Sequence, residues 1–148
     1  GILKQNGAIE AVYCHYDGYI QGGVGQMLYE HYNSRSKVEQ LISNGNLSSL
    51  AAKIGEYNNF DTPNRNVCLF YGRDRGETGT EWKTDATFEA FLERADGCGA
   101  EYYYIMKDGE WYVGTTYGSD ARLGGKLVPL AEALADQHIE NAETVSAE

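Results

Sequence analysis

Residues 2–16, ILKQNGAIEAVYCHY, decide how the chain is built. Asn6-Gly7 supplies the two positive-φ positions of a type I′ turn, and β-compatible residues flank it on both sides, so the stretch reads as a β-hairpin. A two-residue loop sets the register: Leu3 opposes Glu10 and Ile2 opposes Ala11. Val12, Cys14 and Tyr16 then share one face of the outgoing strand, and Tyr13 and His15 the other. A second hairpin is written in EYYYIMKDGEWYVGTT, residues 101–116, with Asp108-Gly109 as its turn and aromatic residues on both arms to pair across the strands.

Helical spacing fills the interval between them. The glycine-rich loop Gly18 to Gly25 ends the first strand, after which Val24, Leu28 and Tyr32 recur at helical steps. Ser36 and Glu39 fit a Ser-x-x-Glu capping box ahead of Val38, Leu41 and Ile42, and Gly45 stands where a helix C-cap favours glycine. Leu47, Leu50, Ala51 and Ile54 predict one more short helix, closed by Gly55. Residues 56–65 read as a loop, residues 66–71 (NVCLFY) as a buried central strand, and residues 72–81 (GRDRGETGTE) as a polar turn. Phe88, Phe91, Leu92 and Ala95 stripe a helix that Gly97 ends, with Asp85, Glu89 and Glu93 at steps of four on another face. Pro129 suits the first turn of a last helix carrying Leu127, Leu130, Leu134 and His138. Strands gathered in hairpins make an antiparallel sheet, and amphipathic helices need a face of it to cover. The class is therefore α+β, and a lone hairpin being marginal in water, both hairpins are expected in one sheet. Residues 1–142 read as a single domain and residues 143–148 as a frayed tail.

Composition narrows the partners. The 148 residues carry 12 Lys+Arg against 22 Asp+Glu, a net charge of −10, which disfavours a phosphate backbone and with it nucleic acid. Cys14, Cys68 and Cys98 have no C-x-x-C or ligand spacing, so neither a disulfide framework nor a metal site is expected, and no cofactor motif is present. No signal peptide or apolar run of membrane-spanning length is visible, which points to a cytoplasmic protein without a membrane partner; Gly1 in place of Met reads as a processed start.

The segment from Tyr13 to Asn33, YCHYDGYIQGGVGQMLYEHYN, together with KVEQLISNGNLSSL after it, resembles a group of small, uncharacterised bacteriophage and prophage proteins. Their pattern is Tyr-Cys-His-x-Asp-Gly-Tyr leading through Gly-Val-Gly into a helix that ends His-Tyr. Tyr16 and Ile20 stand where that pattern has Trp and Pro, and Asn46 where it has Asp. The resemblance implies work in a bacterial host cytoplasm on a host or defence component; it implies no activity.

Three chemistries compete for the polar residues. Gly22, Gly23 and Gly25 at a helix start, with Arg73 and Arg75, are candidates to hold a nucleotide or another anionic small molecule, although neither a Walker loop nor a dinucleotide fingerprint is complete. His15 and Asp17 join that set as ligand-binding candidates and, with His31 one helix later, offer a small hydrolase as the last alternative. Asp85, Glu89 and Glu93 are candidates for an acidic surface that meets a protein partner. The acidic composition and the twelve tyrosines favour binding over catalysis, with a protein partner first and homo-oligomerisation left open.

Overall fold

The computed structural model describes residues 1–116 and 127–135, arranged as an α+β fold. In chain order the elements are β1 (Ile2–Leu3), β2 (Ile9–Ala11), α1 (Val24–His31), α2 (Arg35–Ser43), β3 (Leu47–Ser49), β4 (Leu69–Phe70), α3 (Tyr71–Arg75), β5 (Lys83–Asp85), α4 (Phe88–Gly97), β6 (Tyr102–Lys107), β7 (Glu110–Thr115) and β8 (Val128–Pro129). A last helix, α5, covers residues 130–135. The expected frayed tail and His138 lie outside the described residues.

Both hairpins belong to one six-stranded sheet, ordered β5-β2-β1-β6-β7-β8. They meet through a parallel contact of Ile2 with Met106, which makes the sheet mixed where an antiparallel one is expected. The second hairpin follows its sequence: Asp108 (φ 53°) and Gly109 (φ 79°) take the positive-φ positions, and six residue pairs run from Tyr102 opposite Thr115 to Lys107 opposite Glu110. The first hairpin differs by one residue. Ile2 opposes Glu10 and Leu3 opposes Ile9. In this turn Gly7 takes the left-handed conformation (φ 87°) and Asn6 does not; the Gly7 amide donates to the Lys4 carbonyl and the Lys4 amide to the Ala8 carbonyl. That is a three-residue loop in which a tight turn is followed by a bulged glycine. Asn6 serves it through its side chain, whose Oδ1 accepts from the Ala8 amide at 3.0 Å.

Two apolar cores lie against the sheet. Tyr104, Met106, Trp111 and Val113 pack with α1, α2 and Leu130, whereas Tyr103 and Ile105 point the other way and pack with Ile9 and Phe91. Alternation along β6 produces this division, since successive side chains leave a strand on opposite faces. On the second face Tyr103 meets Phe88 and Phe91 edge-on, with centroids 5.9 and 5.7 Å away. The Thr87 hydroxyl caps α4 by accepting from the Ala90 amide, and Phe88, Phe91 and Ala95 turn inward from it as the spacing predicts.

The predicted helix over Leu47–Ile54 is absent. Leu47 donates to the Tyr13 carbonyl and accepts from the His15 amide, and β3 pairs with β4, so the backbone finds its partners in other segments. Leu47, Ala51 and Ile54 are all buried as their spacing implies, but along an irregular extended path. The expected central strand is thereby placed in a separate two-stranded sheet, β3-β4. α2 is capped two residues earlier than predicted: Ser34 accepts from the Lys37 amide, and Glu39 pairs with Arg35 at 2.9 Å. The first part of the expected polar turn is α3, and Lys83–Asp85 forms an unpredicted edge strand beside β2. Pro129 stands in β8, just before α5.

One buried chain of polar contacts joins the layers. The Trp111 indole donates to the Tyr32 carbonyl at 2.8 Å, and the Tyr32 hydroxyl donates to the Ala51 carbonyl at 2.6 Å. Burial raises the Tyr32 pKa, so the phenol remains a donor. Tyr32→Phe is expected to lower the unfolding free energy by about 1–2 kcal/mol, because it leaves the buried Ala51 carbonyl with only the weak donor of the Cys68 thiol. Urea denaturation should record this as a lower midpoint with an unchanged m-value; an unaltered midpoint would show that the bond contributes nothing to stability.

Candidate functional site

The glycine loop is built for close packing. The amides of Val24, Gly25 and Gln26 donate to the carbonyls of Asp17, Tyr19 and Ile20, so the first turn of α1 is satisfied from within the chain. Gly22 donates to the Gln26 side chain at 2.8 Å. A Cβ on Gly25 would lie 2.8 Å from Ile20 Cα, and one on Gly23 would run into the Asp17 and Tyr19 carbonyls. The Tyr104 hydroxyl ties the same loop to β6 through the Gly18 carbonyl at 2.6 Å. The donors that would attract an anion at this helix start are already engaged.

Arg73 is likewise spent. Its guanidinium donates to the carbonyls of Ile54, Gly55 and Cys68 and to both oxygens of Asp74, and it stacks over Phe70. The Asp74 side chain is 0 % exposed and also accepts from the amides of Asn58 and Phe70. Arg75 points outward, pairs with Glu77 at 2.8 Å and lies over the rings of Phe60 and Tyr71. The two arginines thus do not form one clamp: Arg73 stitches three segments together, and Arg75 covers an aromatic pair.

His15 and His31 are exposed. His15 Nδ1 sits 3.1 Å from the Tyr13 hydroxyl, and its ring meets Tyr16 edge-on at 4.5 Å. His31 has Glu30 at 4.0 Å. Asp17 (φ 60°) is a turn residue whose carbonyl caps α1. Among the described residues no hydrogen bond or ion pair joins His15, Asp17 and His31, and no group of three or more His, Cys, Asp or Glu is placed to hold a metal. Nor is any described helix long and apolar enough to cross a membrane. Of the three acids assigned to one surface, Asp85 is buried in β5 and gripped by Arg94, with Nη2 2.8 Å from Oδ1. Glu89 and Glu93 do face outward from α4, and Asp96 continues their face.

A feature that sequence reasoning missed is a partly open cavity of about 300 Å³ between the two cores. After Ala11 the chain leaves β2 and crosses to β3, where Cys14 bridges Leu47. The beginning of β6 is left uncovered on that side, so Tyr102, Tyr103 and Tyr104 all line the cavity although they belong to opposite faces of the sheet. Leu28, Leu41 and Leu50 wall one side and Phe91, Ala95 and Cys98 the other. Its walls come from segments spread from Gly1 to Trp111, which no local pattern announces.

Comparison with family models, with curated proteins and with solved structures finds no match, so geometry carries the functional argument.

Two outcomes test these assignments. Arg73→Ala is expected to destabilise the fold by about 3–5 kcal/mol by leaving Asp74 buried without its partner, while Arg75→Ala changes stability by less than about 1 kcal/mol; equal effects would contradict the division of roles. Burial pushes the Cys14 thiol up to about 12, which keeps it protonated at neutral pH, and the thiolate is the reactive form. Exposed Cys98 should therefore react first with a thiol reagent in the native protein, with Cys14 and buried Cys68 following only on unfolding. Peptide mapping of the labelled sites reads the order directly.

Proposed function

We propose that the protein acts by binding a protein partner through the acidic outer face of α4. The observation that carries this reading is the row Glu89, Glu93 and Asp96 at i, i+4 and i+7, exposed and without an ion-pair partner among the described residues. Like charges at this spacing oppose helix formation slightly, so the row is a surface that a basic partner would relieve. Asp85 does not belong to it. Trp82, 44 % exposed at the entrance to the strand on which α4 packs, adds the kind of aromatic anchor that binding surfaces favour. The nucleotide reading loses its two principal donor sets, the α1 amides and Arg73, to bonds within the fold. A host or defence protein with a basic surface, met in a bacterial cytoplasm, is the partner that the phage-type resemblance of Tyr13–Asn33 supports.

The triple variant Glu89→Gln, Glu93→Gln, Asp96→Asn tests the reading. Affinity capture from bacterial extract should recover a partner with the parent protein at low salt and lose it as salt rises, because exposed charges are screened over about 8 Å at physiological ionic strength. Rebinding of that partner should associate more slowly with the variant while dissociation changes little. Retention of the partner by the folded variant, independent of salt, would overturn the proposal.

A further inference from the structure

We infer that the cavity between the two cores is a binding site for a small amphipathic carboxylate, an apolar chain carrying an anionic head. Its volume of about 300 Å³ is at the lower end of small-ligand pockets, which are mostly apolar with a few placed polar groups. Here the wall is contributed by aliphatic and aromatic side chains: Val24, Leu28 and Leu41 from the helices over one face, Phe91 and Ala95 from α4 over the other. Cys14 adds an apolar surface, because the thiol of this half-buried residue stays protonated.

The polar groups in the lining are cationic or neutral. Among the described residues, Lys83 and Arg94 are the charged side chains that line the cavity, in a chain whose net charge is −10. Arg94 is neutralised by Asp85, which takes its Nε and Nη2 hydrogens. Lys83 is exposed and its ammonium has no hydrogen-bond or ion-pair partner among the described residues. The lining therefore carries one uncompensated positive charge beside an apolar interior. Asn46 adds a side-chain amide whose oxygen is held by the Tyr13 amide at 3.0 Å, which leaves its NH₂ as a further donor. A carboxylate head at Lys83 with its chain among Leu28, Leu41 and Phe91 matches both properties. A neutral hydrocarbon would leave the ammonium unused, and a polyanion would face the carboxylates that dominate the rest of the surface. This site is separate from the acidic face of α4 and does not depend on it.

The probes are decanoate and decanol, titrated into the whole chain below their aggregation limits and followed by calorimetry and by the shift in melting temperature. Decanoate is expected to bind at one site per chain, raise the melting temperature and bind roughly fivefold more tightly than decanol, the range of a solvent-exposed ion pair. Lys83→Met should bring decanoate down to the affinity of decanol without altering decanol binding. Leu50→Trp, which fills the cavity from its half-buried wall, should abolish both. If that variant does not fold, protection of Cys14 from thiol reagents by decanoate in partially denaturing urea reports occupancy in the parent chain. The proposal is overturned by decanoate binding that survives the folded Leu50→Trp variant, by equal affinity for acid and alcohol, or by absence of binding and of Cys14 protection.

Discussion

The ladder between β6 and β7 pairs Tyr102 through Lys107 with Thr115 through Glu110 and sends large side chains to both faces of the sheet. A strand buried on both sides has to be covered on both sides. Each face of β6 has its own cover: α1 and α2 with Leu130 over Tyr104 and Met106, and α4 over Tyr103. The elements that do the covering are short, and among the described residues none of the other strands exceeds three residues. The hairpin is the rigid member against which the short pieces are set, and its buried aromatic rings each remove a large apolar area from water.

Most of the remaining polar detail reconciles short elements with burial. Irregular segments cannot satisfy their backbone groups by a regular ladder, so side chains take over that work. Asn58 accepts from Asn59 and Asn64 and donates to the carbonyls of Asn64 and Val67; Arg73 collects three carbonyls, and Lys37 collects those of His31 and Ala52. Residues that look like ligand binders in isolation are consumed in holding loops. Among the described residues, the outer face of α4 and Lys83 at the cavity stay uncommitted, and these carry opposite charge.

The parts that were legible in the sequence are those set by local rules. Asp108-Gly109 fixed its hairpin because both turn residues adopt positive φ, and the Phe88–Ala95 stripe fixed α4 because one face of it is apolar. Asn6-Gly7 misled by one register step, since an Asn can serve a bulged loop through its side chain as well as a type I′ turn through its backbone. Leu47–Ile54 misled because helical spacing records which residues are buried, not how the chain travels between them. Lys83–Asp85 has no apolar alternation at all and becomes a strand only because β2 offers it an edge. For the site residues the same limit applies: Glu89 and Glu93 were readable from helical spacing, whereas the burial of Asp85 depends on Arg94 and the fate of Arg73 on carbonyls 18 and 19 positions away.

The parallel contact of Ile2 with Met106 gives the sheet a temporal order as well as a spatial one. A ribosome releases β1 and β2 long before β6, whereas β5 precedes β6 by little more than α4, so the edge of β1 that β6 will take stays open through most of synthesis. Pairing across so long a stretch of chain is slow compared with closure of the β6–β7 turn, which needs only neighbouring residues. Until that long-range contact forms, β1 and β6 each expose an unpaired strand edge to any other chain nearby.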